Sequence, residues 1–380
     1  METQSQQIYR GLKGVYADTT KASFIDGQAG KLLYRGYNIH DLAEKSTFEE
    51  IVYLLLYGDL PNRSQLEELD STLRDSRTLP SEVIQILHLV KDSHPMDALR
   101  TGVSALATFD PDVDDNSVEA TRRKGIRITA QAPTIATAHH RIRQGLEPVV
   151  PDPGLNHAGN FLYMLFGSRP QEDEMKLMDV DFIIHAEHGS NASSFAARVA
   201  ASTVSDLHSA VVAGIGVLKG PWHGGAAEAV MKMALDIGHP DNAEAYARNL
   251  IDSGERIMGF GHRVYKAEDP RARHLRDRSE ELSRKKGQPQ WFRILAHLEQ
   301  NVMRPYQEKG IYVNVDFYAG SIYYLMGIPD DLFVPIFVLG RIPGWTLQCM
   351  EQYADNVLIR PLMEYTGPMD LEYVPLEERG

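Results

Sequence analysis

The chain has 380 residues, of which 43% are hydrophobic and 24% charged, as is usual for globular proteins. This length and composition predict a large buried core shared among roughly two or three domains, and they exclude a disordered protein or a small disulfide scaffold. The 39 Lys and Arg against 52 Asp and Glu give a formal net charge of −13. Such an acidic balance disfavours nucleic acid and anionic membranes as partners.

The single cysteine, Cys349, excludes an internal disulfide and fits a reducing compartment. No uncharged run reaches the length of about 18 residues that a transmembrane helix needs. Residues 1–7 have neither the apolar core of a secretory signal nor the arginine-rich character of a transit peptide. These features predict a cytoplasmic protein that has no membrane partner.

The predicted elements begin with one strand pair, at about 22–26 and 31–35. Two overlapping capping boxes at 46–50 predict a helix through the apolar run that follows, and Ser64 with Glu67 predicts the N-cap of the next helix. Helical spacing of apolar residues predicts further segments at about 95–108, 118–143, 171–202, 205–218, 224–237, 241–253, 270–286, 289–309, 316–327 and 331–354. Because strands and helices do not alternate, the predicted fold is all-α with one minor β-hairpin near the N-terminus.

Several common sites are missing from the sequence. It has no phosphate-binding loop and no nucleophile elbow, and Gly214-Ile215-Gly216 lacks the third glycine of a dinucleotide fingerprint. His185 and His188 lie three residues apart on a predicted helix. That spacing leaves a metal site open as one interpretation, although no third ligand is evident nearby.

Two glycine-rich segments carry a histidine each. His223 lies in 219–226, just before a predicted helix whose partial positive charge favours a neutral, hydrogen-bond-donating imidazole. The alternative is a turn in which His223 only caps the helix. His262 follows two glycines in 258–266, and the basic residues after it form a local site for an anion within an acidic chain. A glycine turn followed by a solvated helix is the alternative there.

A third segment, 313–320, places Asp316 among apolar neighbours. Loss of hydration is expected to raise the pKa of its carboxyl group and to make it a stronger base. An N-cap for the following helix is the alternative. Downstream, Arg341 and Arg360 each lie in an apolar or turn setting, where an arginine often clamps a carboxylate.

Taken together, the three segments carry a family resemblance. The motifs are His-Gly-Gly-Ala at 223–226, Gly-Phe-Gly-His-Arg-Val-Tyr-Lys at 259–266 and Asn-Val-Asp-Phe-Tyr at 314–318. With these motifs in this order, the chain resembles citrate synthases of the short prokaryotic type from Gly11 to Arg379. The resemblance implies two all-α domains, a large dimerisation domain of 1–223 and 328–380 and a small domain of 224–327 that holds CoA and catalytic residues.

By this resemblance, Asp316 is expected to remove a proton from the methyl group of acetyl-CoA while His223 hydrogen-bonds the thioester oxygen. His262 is expected to polarise the carbonyl of oxaloacetate and to protonate its oxygen. Citryl-CoA is then hydrolysed to citrate and CoA. Acetyl-CoA is a substrate in this scheme, and neither a metal nor another cofactor is expected.

The resemblance also implies the binding residues. Those expected at oxaloacetate are His188, His262, Arg271, Arg341 and Arg360. Arg360 is expected to come from the partner subunit, which implies a homodimer, and the role of His188 replaces the metal interpretation above. Those expected at CoA are Ile257, Met258, Gly259, Phe260, Gly261 and Lys266.

Two other functions stay open at this point. A 2-methylcitrate synthase has the same catalytic residues but uses propionyl-CoA, and one extra methylene changes binding by only about 1–3 kcal/mol. A non-catalytic paralogue that binds CoA or another metabolite is expected to lack a catalytic residue, and all three are present here. The chain departs from many relatives at Glu187, Gly189 and Trp222, and a Trp beside His223 is expected to affect the shape of the acyl pocket.

Overall fold

The structure is a computed structural model that describes residues 7–380. Residues 1–6, which belong to the segment considered for a leader, lie outside the described residues. The described part consists of 17 α-helices and one three-stranded antiparallel sheet, joined by turns and short 3-10 helices. The prediction of an all-α fold is therefore confirmed.

The sheet lies near the N-terminus. Its strands are β1 (Ser23–Asp26), β2 (Lys31–Tyr34) and β3 (Tyr37–Asn38), in that spatial order. The predicted hairpin is confirmed, with Ser23 opposite Tyr34 and Asp26 opposite Lys31. The third strand was not predicted, because two residues are too few to show an alternating pattern.

The helices follow in chain order. They are α1 (Ile39–Lys45), α2 (Phe48–Tyr57), α3 (Arg63–Asp75), α4 (Ser81–Leu89), α5 (Pro95–Leu106), α6 (Val118–Arg143), α7 (His157–Phe166), α8 (Glu172–His185), α9 (Ala192–Ser202), α10 (Leu207–Leu218), α11 (Ala226–Ile237), α12 (Ala243–Asp252), α13 (Ala272–Lys285), α14 (Gln290–His297), α15 (Arg304–Gln307), α16 (Asp316–Leu325) and α17 (Phe333–Ala354). The sequence did not predict α1, α4 and α7, each of which has 10 residues or fewer.

Helix caps agree with the sequence at α2 and differ at α3. Thr47 and Glu50 form the capping box that opens α2. The predicted cap of α3 at Ser64 is wrong, since Asn62 and Gln65 form a reciprocal capping box two residues earlier. Asn and Ser are both good N-cap residues, and the box with the glutamine side chain decides between them.

Two predicted helices are interrupted. The segment 171–202 is two helices, because α8 ends at His185 and α9 begins at Ala192. In the break Glu187 is buried and Gly189 has a φ of +58°, a backbone conformation that glycine adopts without strain. The segment 289–309 contains a π-helical turn at Leu298–Val302.

Helix α17 runs through the core and packs against α6, α8, α9 and α10. By length and composition alone, the stretch Asp330–Ala354 is apolar enough to cross a membrane, with a mean hydropathy of 1.3. However, 94% of its apolar window is buried inside the protein. This burial marks α17 as a core helix of the folded chain.

The chain after α17 is different. Residues 355–380 have no regular structure except the 3-10 turn Leu376–Glu378. Most of their side chains are exposed, including apolar ones such as Met363, Leu371 and Tyr373. We call residues 355–380 the C-terminal tail.

Candidate active site

Two of the sequence motifs lie side by side. The backbone N–H of Gly261 donates to the carbonyl of Tyr312 (2.8 Å), and the N–H of Asn314 donates to the carbonyl of Gly259 (2.9 Å). The Asn314 side chain joins the motifs again, since its amide donates to the Gly261 carbonyl (3.2 Å) and its oxygen accepts from the Asp316 N–H (3.1 Å). These bonds place His262 beside the start of α16.

Gly259 makes this approach possible. It has a φ of +80°, and an added Cβ would lie 2.5 Å from the Phe317 ring and 2.7 Å from a methyl group of Val230. Both distances are far inside van der Waals contact, so a side chain at this position would push apart α11, α16 and the loop before His262. The glycine is therefore required by packing as well as by its backbone angle.

His262 is held as a neutral hydrogen-bond donor. Its Nδ1 accepts hydrogen bonds from the backbone N–H groups of Val264 (3.0 Å) and Tyr265 (3.1 Å). An accepting Nδ1 carries no proton, so in the neutral ring the proton is on Nε2. Burial lowers the pKa of His262 to about 4. At neutral pH the side chain therefore presents one N–H and no charge.

His223 is also neutral, with the opposite tautomer. Its Nε2 accepts a hydrogen bond from the backbone N–H of Ser193 (3.3 Å) and lies 2.9 Å from the Ser193 hydroxyl oxygen. The proton of the neutral ring is consequently on Nδ1. Burial, with Arg341 nearby, lowers the pKa of His223 to about 4. The capping alternative is wrong, because Gly225 is the N-cap of α11 and no side chain caps that helix.

Asp316 is the first residue of α16. The N-cap alternative is wrong here too, since Val315 is the N-cap. Within residues 7–380 no group donates a hydrogen bond to the Asp316 carboxylate, although its backbone N–H is bonded. Burial raises the pKa of Asp316 to about 6. A carboxylate in this state is ionised at neutral pH and is a stronger base than an exposed aspartate.

His188 lies in the break between α8 and α9. Its Nε2 is 3.1 Å from the hydroxyl oxygen of Tyr265, and its ring centroid is 5.3 Å from that of His262. Burial lowers the pKa of His188 well below its usual value, and the neighbouring groups that add to this are Arg271, His262, Arg341 and His223. The structure thus brings together five residues that the sequence analysis singled out: His188, His223, His262, Arg271 and Arg341.

The two histidines considered as metal ligands have different partners. The Nδ1 of His185 is 2.8 Å from the backbone oxygen of Asp181, whereas His188 contacts Tyr265. Within residues 7–380, no three His, Cys, Asp or Glu side chains are grouped in a way that would hold a metal ion.

Two buried arginines face this site. Arg271 forms a two-pronged ion pair with Asp269, with N–O distances of 3.0 and 2.8 Å. The Nε of Arg341 donates to the backbone oxygen of His185, while its Nη1 is buried and has no partner in the described chain. Burial lowers the pKa of Arg341 to about 10. A buried guanidinium with a free N–H is suited to a carboxylate ligand.

The chain is similar over nearly its whole length to known proteins of one family. The family model "Citrate synthase, C-terminal domain" matches residues 11–362. Citrate synthase 2 of Bacillus subtilis is 46% identical over 373 residues, which cover 98% of this chain and 99% of the relative. 2-Methylcitrate synthase 1 of Corynebacterium glutamicum is 42% identical over 379 residues, covering 98% and 99%.

A solved structure gives the same result for the fold. The ternary complex of carboxymethyl coenzyme A and oxaloacetate with citrate synthase from Thermoplasma acidophilum superimposes with a TM-score of 0.94 at 33% identity, covering 99% of this chain and 100% of that one. The chain belongs to the citrate synthase family. It is an acyltransferase, and enzymes of this family need no cofactor, since the acyl-CoA is a substrate.

The residues that the family resemblance places at CoA lie on one loop. Ile257 is buried, Met258 and Phe260 are partly buried, and Lys266 is exposed with no ion-pair partner in the described chain. An exposed, unpaired ammonium group is suited to a phosphate.

Arg360 is not part of the cluster within this chain. It lies exposed on the C-terminal tail and forms no hydrogen bond or ion pair with the other residues of the site in the described chain. Trp222 is also exposed, to 99%, so its side chain does not line a pocket beside His223 in this structure.

Sequence reasoning missed two residues of the site. Ser193 fixes the tautomer of His223, and Tyr265 contacts His188. Their contacts span 30 and 77 residues, so no local pattern predicts these contacts, although Tyr265 itself lies in the motif 259–266. Glu187, noted only as a departure, is a buried carboxyl group that accepts hydrogen bonds from Ser23, Gly189 and Gln348 through one oxygen.

Proposed function

We propose that this member of the family condenses acetyl-CoA with oxaloacetate and hydrolyses citryl-CoA to citrate and CoA. One observation carries the proposal: two neutral histidines, His223 and His262, each with its donating nitrogen fixed by backbone N–H groups, lie in one site with a carboxylate of raised pKa, Asp316. This set supplies a base and two uncharged acids.

The first step is removal of a methyl proton. The Asp316 carboxylate accepts the proton, and the Nδ1–H of His223 donates a hydrogen bond to the thioester oxygen as negative charge develops there. The methyl group is a very weak acid, so the base works only if the enol oxygen is stabilised at the same moment. A neutral imidazole stabilises that oxygen without first having to lose a proton.

The second step forms the C–C bond. The enol carbon attacks the ketone carbon of oxaloacetate, and the Nε2–H of His262 hydrogen-bonds the ketone oxygen and protonates it. Arg271 and Arg341 hold the two carboxylates, and His188 lies close to both arginines. In the third step water cleaves the thioester of citryl-CoA and releases the CoA thiol.

The loop from Ile257 to Gly261 and the side chain of Lys266 are proposed to hold CoA. The loop offers apolar side chains next to the segment that carries Asp316, and the ammonium of Lys266 would meet a phosphate. We also propose the domain division at 224 and 327, with closure of the small domain over oxaloacetate excluding water from the site. X-ray scattering that detects no compaction with oxaloacetate would contradict closure.

A homodimer is part of the proposal. The C-terminal tail leaves many large apolar side chains in water, and exposed apolar surface of this kind marks a contact with another chain. We propose that the tail packs on a second copy and delivers Arg360 to the oxaloacetate site there.

The single buried cysteine is consistent with a cytoplasmic location.

A 2-methylcitrate synthase is the second candidate, and the relatives support it as well. The C. glutamicum enzyme named so is 42% identical, against 46% for the B. subtilis citrate synthase. The two chemistries share every catalytic group, and the acyl chains differ by one methylene.

The test is CoA-thiol release with oxaloacetate, with acetyl-CoA and propionyl-CoA at equal concentration and no added metal. Faster turnover of acetyl-CoA is the expected result. Faster turnover of propionyl-CoA would assign the chain to the 2-methylcitrate synthases. No turnover of either would refute the proposal and favour a non-catalytic paralogue that binds CoA.

A further inference from the structure

The turn between β1 and β2, residues 27–30, packs against the loop that follows His262. The backbone N–H of Lys266 donates a hydrogen bond to the carbonyl of Gly27 (2.7 Å). A Cβ at Gly27 would lie 2.3 Å from the carbonyl oxygen of Val264. This contact is between two stretches of backbone, so no rotation of a side chain could relieve the clash.

The other end of the turn makes a second close contact. A Cβ at Gly30 would lie 2.8 Å from the carbonyl oxygen of Glu268. Gly30 also has a φ of +61°. Residues 27–30 therefore touch the backbone of the loop at both Val264 and Glu268, and they can do so because neither end carries a side chain.

The turn keeps its shape through bonds of its own. One carboxylate oxygen of Asp26 accepts hydrogen bonds from the N–H groups of Gln28 and Ala29, both at 2.9 Å. Behind the turn, the hydroxyl of the buried Tyr34 on β2 donates to the backbone oxygen of Ile184 at the end of α8 (3.1 Å). The hairpin is thus fixed to the core without help from the loop.

The loop that packs against this turn, residues 263–268, lies between two residues proposed to bind oxaloacetate, His262 and Arg271. The N–H groups of Val264 and Tyr265 hold the ring of His262, and the Tyr265 hydroxyl contacts His188. Arg271 follows shortly after, fixed by Asp269. A displacement of the backbone at Val264 would therefore move the donor that faces the ketone and the arginine that faces a carboxylate.

We propose that residues 27–30 of the hairpin are a seat that positions the loop 263–268, and through it His262 and Arg271, for oxaloacetate. The role belongs to the backbone: a carbonyl at Gly27 that accepts from Lys266, and no side chain at Gly27 or Gly30. This inference rests on the proposed function for its effect on turnover, but the seat itself can be tested without turnover.

The kinetic test compares glycine variants in the dimer. Gly27→Ala and Gly30→Ala are expected to lower kcat/KM for oxaloacetate about 10- to 100-fold, since a misplacement near 1 Å has effects of that size. Gln28→Ala adds no atom at the contact. Gly36, like Gly30, has a positive φ (+96° against +61°), but it has open space around it, so Gly36→Ala controls for backbone strain. Both controls are expected to stay close to the unmodified protein. Equal kcat/KM in Gly27→Ala and Gln28→Ala would refute the seat.

A second measurement needs no variant. In hydrogen–deuterium exchange of the unmodified protein, the Lys266 amide is expected to be protected although its side chain is exposed, and oxaloacetate is expected to slow exchange of 263–268 further. Exchange at the unprotected rate with and without oxaloacetate would overturn the proposal even if the alanine variants failed to fold. If the unmodified protein protects Lys266 but releases no CoA thiol, the proposed function fails and the seat stands.

Discussion

Helix α17 and the C-terminal tail are consecutive in the chain and opposite in packing. Nearly all of the apolar window in α17 is buried, whereas the tail leaves Met363 exposed to 92% and Tyr373 to 79%. Each carries one arginine expected at oxaloacetate. Arg341 is fully buried in α17, and Arg360 is in water on the tail.

The difference separates the site residues that contacts within one chain position from the one residue, Arg360, that they do not. The histidines, Asp316, Arg271 and Arg341 are all placed by contacts within the chain. Arg360 is not, and the apolar side chains around it have no cover in the described residues. In the proposed dimer, one chain makes the framework of the active site, and the final contact, from Arg360, depends on assembly.

The strongest test of the framework is Asp316→Ala. Without the base, condensation is expected to fall by about 10³-fold or more, whichever partner chain is present. The measurement is CoA-thiol release, with calorimetry to check that oxaloacetate still binds and light scattering to check the dimer. Normal turnover by this variant would show that another group removes the proton.

The sharpest test of the tail is Arg360→Gln. Loss of a charged hydrogen bond to a carboxylate is worth about 1.5–3 kcal/mol, so KM for oxaloacetate is expected to rise by roughly 10- to 100-fold. Arg379→Gln is the matched control on the same tail. Arg379 already bonds the carbonyl of Val374 and is expected to tolerate the change.

Co-expression of Arg360→Gln with Asp316→Ala tells whether the arginine acts across the dimer. In a mixed dimer, one site would combine an intact Asp316 with the partner's intact Arg360, so activity is expected to return. Mixed dimers that are as inactive as both parents would place Arg360 in its own subunit's site or outside the site altogether.

The pH dependence of the condensation rate tests the role of Asp316 without a change to that residue. Asp316 acts only when ionised, and burial raises its pKa to about 6. The rate of condensation is therefore expected to fall about tenfold per pH unit below pH 6. Arg379→Gln is expected to leave this midpoint unchanged, because Arg379 bonds Val374 on the tail and lies outside the surroundings of Asp316. A shift of the midpoint in that variant would contradict the separation of framework and tail.

The smallest effect is on stability. The pKa of Asp316 is higher in the folded chain than in the unfolded chain. The free energy of unfolding therefore falls as pH rises from about 4 to about 6, and it stays at the lower value above pH 6. Asp316→Asn is expected to stabilise the dimer by about 1–3 kcal/mol at pH 8 and not at pH 4. Thermal unfolding at the two pH values measures this, and an equal shift at both would contradict it.

The sequence predicted the elements that local pattern defines and missed those that distant contacts define. Periodicity predicted α6 and α17, and the motifs singled out His223, His262 and Asp316, whose catalytic roles stay a proposal. The break after α8 was missed because its cause is remote: the buried carboxyl group of Glu187 accepts from Ser23, 164 residues away, and from Gln348, 161 residues away.

Cys349, the single cysteine of the chain, lies on α17 with its sulfur 3.8 Å from the backbone oxygen of Ala197 and no exposure to solvent. Burial raises the pKa of its thiol to about 12, so the native protein offers no thiolate to a thiol-specific dye. Colour formed in an assay then reports released CoA alone. Denaturation exposes one thiol per chain, so the same dye, without substrate, counts unfolded molecules and distinguishes a variant that has lost chemistry from one that has lost its fold.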